Sequence, residues 1–210
     1  MNTELHTKLI SDGYLSFDLS NEIKEKLKPI ADKIKQIEFT NLRHTGCGNS
    51  DQTNAPFEIL EKLKEEYAPL KKWQVWYQDT NFRPKITEDE YSFLREVFTS
   101  IIEDVYPADS YDTNFFINCT MYNKLCYINR HQDGNAGHRL TNILIYLNED
   151  YVEGMGGEIV INDEKVNPEL GKVAIIDFSQ NNPAHAVTEV LDENFRRITI
   201  IVELARNSEK

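Results

Sequence analysis

The hydrophobic pattern of this chain changes its period once, after Ser110. Before that residue apolar side chains recur every three or four positions, as in amphipathic helices, and from there to Leu204 they alternate with polar ones, as in β-strands. Seven or eight short strands after a helical half favour an antiparallel sandwich or jelly roll supported by helices. Gly, Asn, Asp and Pro residues separate the strand-like runs, which cover 114–122, 126–133, 139–148, 158–162, 172–178, 185–190 and 196–204.

Two segments of the helical half carry clear helix signals. Ser20 is a candidate N-cap for a helix with one apolar face, and Pro29 inside that helix predicts a kink or a break. Thr87 and Glu90 have the spacing of a capping box, which opens a second helix that ends before Pro107. The other expected elements are a strand near 13–15, a polar loop and candidate lid over 42–56, a helix over 56–67 and a strand over 73–77.

The length and charge of the chain restrict its architecture and its partners. Its 210 residues suit a single domain, 1–210, in which a helix-rich support region (1–110) precedes a jelly-roll core (111–205). With 23 Lys and Arg against 35 Asp and Glu, the net charge of −12 repels phosphate backbones, so no nucleic-acid partner is expected. No segment approaches the ~20 apolar residues of a membrane span, and the N-terminus lacks a basic flank followed by an apolar run. We therefore expect a cytoplasmic protein without a membrane partner, and the sequence leaves its oligomeric state open.

Each long strand-like run has one apolar face and one face on which polar groups accompany aromatic rings. Asn118, Thr120 and Tyr122 share such a face in the first run, and Asn142 and Tyr146 share one in the third. A solvent-exposed face would be rich in Lys and Glu, whereas these faces carry Tyr, Asn, Thr, His and Asp. The pattern therefore predicts that the polar faces enclose a cavity.

Two side chains that can bind a metal lie in the second run. His131 and Asp133 are two residues apart, so they project to the same side of a strand. His185, from a later run, would complete a set of two histidines and one carboxylate. That set is the arrangement that leaves coordination positions open on a non-haem Fe(II). His138, which is close to Asp133 in sequence, is a rival third ligand.

A pair of arginines near the end of the chain supplies a candidate anchor for a co-substrate. An iron site of this kind needs a co-substrate that chelates the metal, and an oxo-acid with a distal carboxylate needs a deep cationic partner. Arginine suits this role, because its planar guanidinium donates two parallel hydrogen bonds to a carboxylate. Arg196 and Arg197 are adjacent on the last strand-like run, so they cannot both point inward. Parity favours Arg197, which shares its face with Thr199, and Arg196 stays open as the alternative.

The segment from Tyr122 to Glu203 resembles the Fe(II)/2-oxoglutarate-dependent dioxygenase superfamily. Within that superfamily it is similar to the prolyl 4-hydroxylase branch. The residues that carry the resemblance are Tyr122, His131-x-Asp133, the stretch 141–148 (TNILIYLN), Gly156-Gly157-Glu158, the stretch 182–187 (NPAHAV) with His185, and Arg197-x-Thr199.

The resemblance implies a fold, a set of cofactors and a role for each matching residue. The implied fold is a double-stranded β-helix (a cupin-like jelly roll, in the α+β or mainly β class) with buttressing N-terminal helices. The implied cofactors are Fe(II), 2-oxoglutarate as co-substrate and O2, with ascorbate as a reductant. His131, Asp133 and His185 would be the iron ligands. The implied co-substrate contacts are Arg197 at the distal carboxylate, Tyr146 beside it, and Tyr122, Thr199 and Asn142 in the same pocket.

The implied activity is hydroxylation of an unactivated C–H bond, with prolyl residues of a peptide or protein as the leading substrate. A free amino acid or another small molecule is the alternative substrate, and a non-enzymatic cupin-like metal-binding module is a third interpretation. Arg197 and Tyr146 favour an enzyme, because a pure metal binder needs no deep carboxylate anchor. Arg139 is placed either at the cavity mouth, where it would meet substrate, or on the solvent-exposed surface. His6 and His44 are interpreted as structural residues.

Overall fold

Two antiparallel sheets with helices packed on one side make up the fold. The computed structural model describes residues 2–37, 42–44, 51–53, 75–79, 82–133 and 139–207. The helices in these ranges are α1 (Thr3–Asp12), α2 (Asn21–Lys35) and α3 (Glu88–Val105), with a 3₁₀ turn at Arg83–Lys85. The strands are β1 (Tyr14–Asp18), β2 (Leu42–His44), β3 (Asp51–Thr53), β4 (Val75–Asp79), β5 (Ile117–Tyr122), β6 (Ile128–His131), β7 (Arg139–Tyr146), β8 (Ile159–Ile161), β9 (Glu164–Val166), β10 (Lys172–Asp177), β11 (His185–Val187) and β12 (Arg197–Ala205).

The strands divide between a large sheet and a small sheet. The large sheet has the order β1-β10-β7-β12-β5-β4-β2-β3, and the small sheet has the order β6-β11-β8-β9. From β5 to β12 the chain passes back and forth between the two sheets, and only β8 and β9 follow each other within one sheet. This alternation is typical of a double-stranded β-helix. The fold class expected from the sequence is therefore confirmed.

One face of the large sheet packs against the helices. In β12, Ile198, Ile200 and Val202 are fully buried, and they belong to the same hydrophobic cluster as Leu94 and Phe98 of α3. The other two helices contact the sheet as well, α1 through β10 and α2 through β12. The apolar faces predicted from the alternation thus form the layer beneath the helices. The opposite face of the large sheet is turned toward the small sheet.

Both predicted helices form with the expected N-terminal caps. The Ser20 hydroxyl accepts a hydrogen bond from the first turn of α2, and Thr87 and Glu90 form the complete capping box of α3. Helix α2 continues through Pro29, so the predicted break does not occur. Proline removes a single backbone N–H, and burial of the apolar face around Leu27 stabilises the turns on both sides of it.

Helix α1 has no clear counterpart in the sequence pattern. Leu9 is its one buried residue, so the helical period leaves little trace in the hydrophobicity. The Asn2 side chain caps its N-terminus, and Gly13 ends it with a φ of 77°. Strand β1 begins at the next residue, Tyr14, where a strand was expected.

The prediction of a polar loop over 42–56 is wrong at Leu42–His44 and Asp51–Thr53, which form strands β2 and β3. Strands β2 and β3 pair with each other, and β2 extends the large sheet beside β4. Short strands at the end of a sheet are held by backbone hydrogen bonds and need no apolar alternation, so the sequence carries no strand signal there. Strand β4 overlaps the strand expected over 73–77. The helix expected over 56–67 and the rest of the candidate lid lie outside the described residues and stay predictions.

The expectations about membrane and domain organisation are tested only in part. No helix within the described ranges is both long enough and apolar enough to cross a bilayer. The single-domain organisation and the cytoplasmic location stay predictions.

Replacing Leu94 by Ala should lower the free energy of unfolding by about 2–5 kcal/mol, because the fully buried packing of α3 would be left with a cavity. Chemical denaturation followed by circular dichroism measures the change. Leu191→Ala is the matched control: Leu191 is 59% exposed, so the loss should stay below about 0.5 kcal/mol. Equal effects of the two substitutions would contradict the placement of α3 on the sheet.

Candidate metal centre

Three candidate metal ligands meet in the cavity between the two sheets. His131 of β6 and His185 of β11 are paired directly across the small sheet, and Asp133 follows β6. His131 Nε2 lies 3.4 Å from Asp133 Oδ1, and His185 Nε2 lies 3.8 Å from Asp133 Oδ2. The candidate ligand atoms of the three residues all lie within 4.8 Å of one another, so one ion can contact each of them. The structure thus brings together the three residues selected from the sequence.

A bulge in β6 turns His131 toward the cavity. His185 pairs with His131 and Val187 pairs with Ile128, so β6 uses one more residue than β11 over the same interval. In a regular ladder Val187 would lie opposite Asn129 instead. The extra residue lets both Ile128 and His131 line the cavity, although they are three positions apart. Parity along the sequence cannot reveal such a shift.

Both histidines are oriented with Nε2 available for a metal. His131 Nδ1 lies 2.8 Å from the Asn129 carbonyl oxygen, and His185 Nδ1 lies 3.0 Å from the Pro183 carbonyl oxygen. A carbonyl oxygen only accepts hydrogen bonds, so each Nδ1 is the donor and carries the proton of the neutral ring. The lone pair is then on Nε2, and the carbonyl holds the ring in the orientation that metal-binding histidines adopt.

The charges of the three groups suit a divalent cation. Burial opposes ionisation of Asp133, but the adjacent His131 and the nearby His185 and Arg139 hold its pKa below its usual range. Burial lowers the pKa of His185, and the neighbouring His131 ring lowers it further. In His131 the effect of burial is outweighed by the neighbouring Asp133 carboxylate, which raises the pKa of the ring. Two imidazoles and one carboxylate are a donor set suited to Fe(II) with positions left open.

Two asparagine side chains hold Asp133 in place. Asn142 Nδ2 donates to Asp133 Oδ2 over 3.2 Å, and Asn182 Nδ2 donates to the Asp133 backbone carbonyl over 2.8 Å. Asn142 lines the cavity, as its strand face predicted, and its contact is with a candidate metal ligand. Asn182 was not selected from the sequence, although the Asn182-Pro183 pair belongs to a motif that carries the resemblance.

Arg197 is a cationic side chain buried against the cavity. It is 1% exposed, its Nε donates to the Gly157 carbonyl oxygen over 2.7 Å, and its Nη2 donates to the Tyr146 hydroxyl over 3.3 Å. The guanidinium carbon also lies 4.5 Å from the centre of the Tyr122 ring and 5.0 Å from that of the Tyr146 ring. Aromatic faces attract a cation at these distances. The side chain is therefore held in one position by a carbonyl, a hydroxyl and two rings.

Arg196 points away from the cavity. It is exposed, and its Nη1 donates to the Lys35 carbonyl oxygen over 3.2 Å. Arg197 occupies the next position, opposite Tyr122 of β5, so its side chain lies on the other face of the sheet. Of these two neighbours only Arg197 lines the cavity.

Several buried polar atoms of the site lack hydrogen-bond partners. Among the described residues, Thr199 Oγ1, Thr120 Oγ1 and Asn142 Oδ1 are buried and make no hydrogen bond. Thr199 and Thr120 are directly paired across β12 and β5, and Thr120 lines the cavity, whose volume is about 290 Å³. Buried polar groups are rarely left unpaired in folded proteins. Free hydroxyls beside a buried guanidinium therefore fit a small carboxylate ligand, and 2-oxoglutarate is such a ligand.

Gly157 matters to the site, although its sequence pattern indicated only a turn. Its φ of 81° lies in the left-handed region, and a Cβ at this position would lie 3.0 Å from Arg197 Cδ. A larger residue would strain the backbone and displace the arginine. The Gly156-Gly157 pair was the available signal, because glycine before a strand indicates either a turn or a close approach of other atoms.

An ion pair lies at the mouth of the cavity. Arg139 pairs with Ala205 while Thr141 pairs with Leu204, so β7 contains a bulge that turns Arg139 toward the cavity face. Arg139 Nη2 lies 2.9 Å from Glu203 Oε2, and Glu203 lines the cavity. Of the two locations open for Arg139 from the sequence, the structure has the one at the mouth.

The other histidines are not part of this cluster in the described portion of the chain. His6 Nδ1 lies 2.8 Å from the Val105 carbonyl oxygen, which agrees with a structural role. His138 and the side chain of His44 lie outside the described residues. The role of His138 as a rival ligand therefore stays a prediction.

The segment that carries the site matches one protein family. Residues 117–202 match the model of the 2OG-Fe(II) oxygenase superfamily. This range contains the three candidate metal ligands and Arg197. No curated protein matches the chain.

Solved structures resemble this chain at low sequence identity. A prolyl-4-hydroxylase from Pseudomonas putida has a TM-score of 0.62 at 13% identity, and the match covers 97% of this chain and 98% of that one. A prolyl hydroxylase from Trichoplax adhaerens, in complex with a hypoxia inducible factor peptide fragment, has a TM-score of 0.67 at 12% identity, with 97% and 88% covered. An oxidoreductase of the 2OG-Fe(II) oxygenase family from Burkholderia pseudomallei has a TM-score of 0.53 at 13% identity, with 98% and 90% covered. At these identities the similarity shows the shared fold.

Replacing His185 by Ala should weaken binding of Fe(II), or of Mn(II) as a stable substitute, by more than about 100-fold. The loss should exceed the 10- to 100-fold that follows removal of an outer partner of a metal ligand, because a ligand itself is removed. Anaerobic titration calorimetry measures the affinity. His6→Ala is the control and should bind the metal like the wild type. Unchanged binding by His185→Ala would place the metal elsewhere.

Proposed function

Because residues 117–202 match the model of the 2OG-Fe(II) oxygenase superfamily, we propose that this chain hydroxylates prolyl residues of a peptide or protein. The chain is a 2-oxoglutarate- and Fe(II)-dependent dioxygenase, and the prolyl substrate is the step beyond that class. The observation that carries the proposal is a single cavity lined by His131, Asp133, His185 and the buried Arg197. A non-enzymatic metal-binding module, the third interpretation of the sequence, is incompatible with this class.

The cavity residues divide between the metal and the co-substrate. His131, Asp133 and His185 would hold Fe(II), and Arg197 would bind the distal carboxylate of 2-oxoglutarate. When bound, the metal and 2-oxoglutarate together activate O2, with oxidation of 2-oxoglutarate to succinate and CO2 and insertion of one oxygen atom into a C–H bond. The Tyr146 hydroxyl accepts from Arg197, so its own proton is available for the same carboxylate. Burial raises the pKa of Tyr146, which keeps that proton in place.

The side chains around Arg197 exclude water from the carboxylate pocket. Tyr122 is buried against the guanidinium, and burial raises its pKa, so the ring adds no negative charge. The unpaired hydroxyls of Thr120 and Thr199 are available to bind the carboxylate. An arginine attracts a carboxylate more strongly in such a dry pocket than in water. The binding energy is therefore concentrated at the end of the co-substrate that does not react.

The surface beside the cavity supports a peptide substrate. Asn118 and Glu203 line both the cavity and a neighbouring groove of about 290 Å³. Phe116 lines this groove and is 79% exposed, and large exposed apolar side chains mark interaction sites when they border a groove. A target residue in the cavity would leave its flanking residues over the groove, in contact with Phe116. The fold shared with the Trichoplax adhaerens enzyme, which binds a peptide fragment, agrees with this class of substrate.

A free amino acid is the second candidate substrate, and the ion pair at the mouth favours it. Arg139 and Glu203 place a guanidinium and a carboxylate 2.9 Å apart beside the cavity. These groups match the carboxylate and the ammonium of an amino acid. Phe116 would have no role in that case, so dependence of the reaction on Phe116 separates the two candidates.

With Fe(II), ascorbate and 2-oxoglutarate, the protein should release succinate and add one oxygen atom to a proline-containing peptide. Phe116→Ser should raise the KM for the peptide by about tenfold, which corresponds to an apolar contact of about 1.4 kcal/mol, and leave the KM for 2-oxoglutarate unchanged. Mass spectrometry and a succinate assay measure both quantities. Val152→Ser, at another exposed apolar residue (61% exposed), is the control.

Two outcomes of that assay would count against the prolyl-peptide proposal. Oxygen addition to free amino acids alone, with Phe116→Ser as active as the wild type, would favour the second candidate. Succinate release that is the same in His131→Ala as in the wild type would show that the cavity is not the reaction site.

Arg197→Gln should weaken binding of 2-oxoglutarate by about 100- to 1000-fold, because the carboxylate would lose its charged partner in a buried pocket. Arg196→Gln is the matched control and should bind normally, since Arg196 is exposed on the opposite face. The KM for 2-oxoglutarate in succinate release reports the effect. A larger loss in Arg196→Gln than in Arg197→Gln would move the anchor to Arg196.

A further inference from the structure

Glu158 is a buried carboxylate that the proposed reaction does not use. It is 6% exposed, its Oε1 accepts from the Tyr151 hydroxyl over 3.0 Å, and its Oε2 accepts from the Thr188 hydroxyl. Burial opposes its ionisation, but hydrogen bonds from Thr188, from its own N–H and from Tyr151 hold its pKa below the usual range, so the group is charged. A buried charge is costly unless it is hydrogen-bonded, so its position calls for a physical reason.

The peptide group between Gly157 and Glu158 is held at both ends. Its N–H, which belongs to Glu158, donates to Thr188 Oγ1 over 3.0 Å. Its carbonyl, which belongs to Gly157, accepts from Arg197 Nε over 2.7 Å. The Thr188 hydroxyl can accept from this N–H because its own proton is directed at Glu158 Oε2. Hydrogen bonds therefore lead without a break from the carboxylate, through the hydroxyl and the peptide, to the guanidinium.

We propose that Glu158 is a positioning residue for Arg197. Its carboxylate orients the Thr188 hydroxyl, and the hydroxyl fixes the peptide whose carbonyl holds the guanidinium. Gly157 makes this support necessary: at a φ of 81° glycine has no Cβ to restrict rotation of the next peptide, so hydrogen bonds must set its orientation. The inference rests on the proposed role of Arg197 as the anchor for 2-oxoglutarate.

The same contacts connect the anchor to a strand that carries a metal ligand. Thr188 follows β11, three residues after His185, and its N–H donates to the Glu158 carbonyl oxygen over 2.9 Å. Arg197 belongs to the large sheet, so its bond to Gly157 crosses to the segment that leads into the small sheet. Glu158 thus sets the position of the anchor relative to the metal ligands.

A purely structural role for Glu158 makes a different prediction from a positioning role. If Glu158 only holds β8 and β11 together, its loss would reduce the fraction of folded protein. Fewer binding sites would then be titrated, but each remaining site would keep its affinity. If Glu158 positions Arg197, its loss leaves the number of binding sites unchanged and raises the dissociation constant for 2-oxoglutarate.

Titration of 2-oxoglutarate into the Mn(II)-loaded protein, followed by calorimetry, tests the inference without turnover. Glu158→Ala should raise the Kd for 2-oxoglutarate by about tenfold, the effect of one lost hydrogen bond of about 1.4 kcal/mol, with an unchanged number of sites. Thr188→Val, which keeps the shape and removes the hydroxyl, should give a similar loss. The Kd of the double variant Glu158→Ala/Thr188→Val should not exceed the larger Kd of the two single variants, because both changes break the same chain of hydrogen bonds.

Two further variants sharpen the comparison. Glu158→Gln still offers an oxygen to Thr188 and should recover part of the affinity lost in Glu158→Ala. Glu164→Ala is the matched control, because Glu164 also accepts a hydrogen bond from a tyrosine, Tyr14, but lies in β9 at the edge of the small sheet. Its Kd for 2-oxoglutarate should equal that of the wild type, and every variant in this series should bind Mn(II) normally.

An unchanged Kd for 2-oxoglutarate in Thr188→Val would overturn the inference, whether or not Glu158→Ala folds. Fewer sites at an unchanged Kd in Glu158→Ala, or additive losses in the double variant, would overturn it as well. Arg197→Gln distinguishes this failure from failure of the proposed function. If that variant binds 2-oxoglutarate like the wild type, the anchor assignment is itself wrong; if it does not, only the role of Glu158 is rejected.

Discussion

The burial of one guanidinium is the constraint on which most of this structure depends. Arg197 is 1% exposed, and removing a charge from water costs several kcal/mol unless its hydrogen bonds are replaced. A carbonyl at Gly157, a hydroxyl at Tyr146 and the ring of Tyr122 replace part of that hydration. None of these three partners carries a negative charge. An anionic ligand would therefore supply the negative charge that these three partners lack.

The two sheets carry different parts of the candidate site, and each contains a bulge at the point where a side chain is redirected. The small sheet carries His131 and His185, with Asp133 two residues after β6 ends at His131, and the large sheet carries Arg197 and Tyr146. A bulge in β6 turns His131 inward, and a bulge in β7 turns Arg139 toward the mouth. Bulges are common beside active sites because one extra residue changes the direction of a side chain without breaking the sheet.

Features that depend on neighbouring residues could be predicted from the sequence, and features that depend on distant contacts could not. Strand parity favoured Arg197 over Arg196, and Arg197 is the one of the two that lines the cavity. The spacing of Thr87 and Glu90 was sufficient for the capping box. The close approach of Gly157 to the arginine joins segments forty positions apart, so its pattern indicated only a turn. Strands β2 and β3 were predicted as loop for the same reason, since β2 is held in the sheet by pairing with β4, and β3 by pairing with β2. Local periodicity was sufficient to predict a jelly roll supported by helices. The ligand roles of His131, Asp133 and His185 depended on the family resemblance as well, because spacing alone left His138 open as a rival.

The separation of the candidate metal ligands from Arg197 has a consequence for the stability of the fold. A molecule that chelates the metal on the small sheet and reaches the guanidinium on the large sheet forms a removable cross-link between the two halves of the β-helix. By mass action, a ligand that binds only the folded state stabilises that state in proportion to the logarithm of its concentration. The resistance of the two sheets to separation would then depend on the supply of the co-substrate as well as on the sequence.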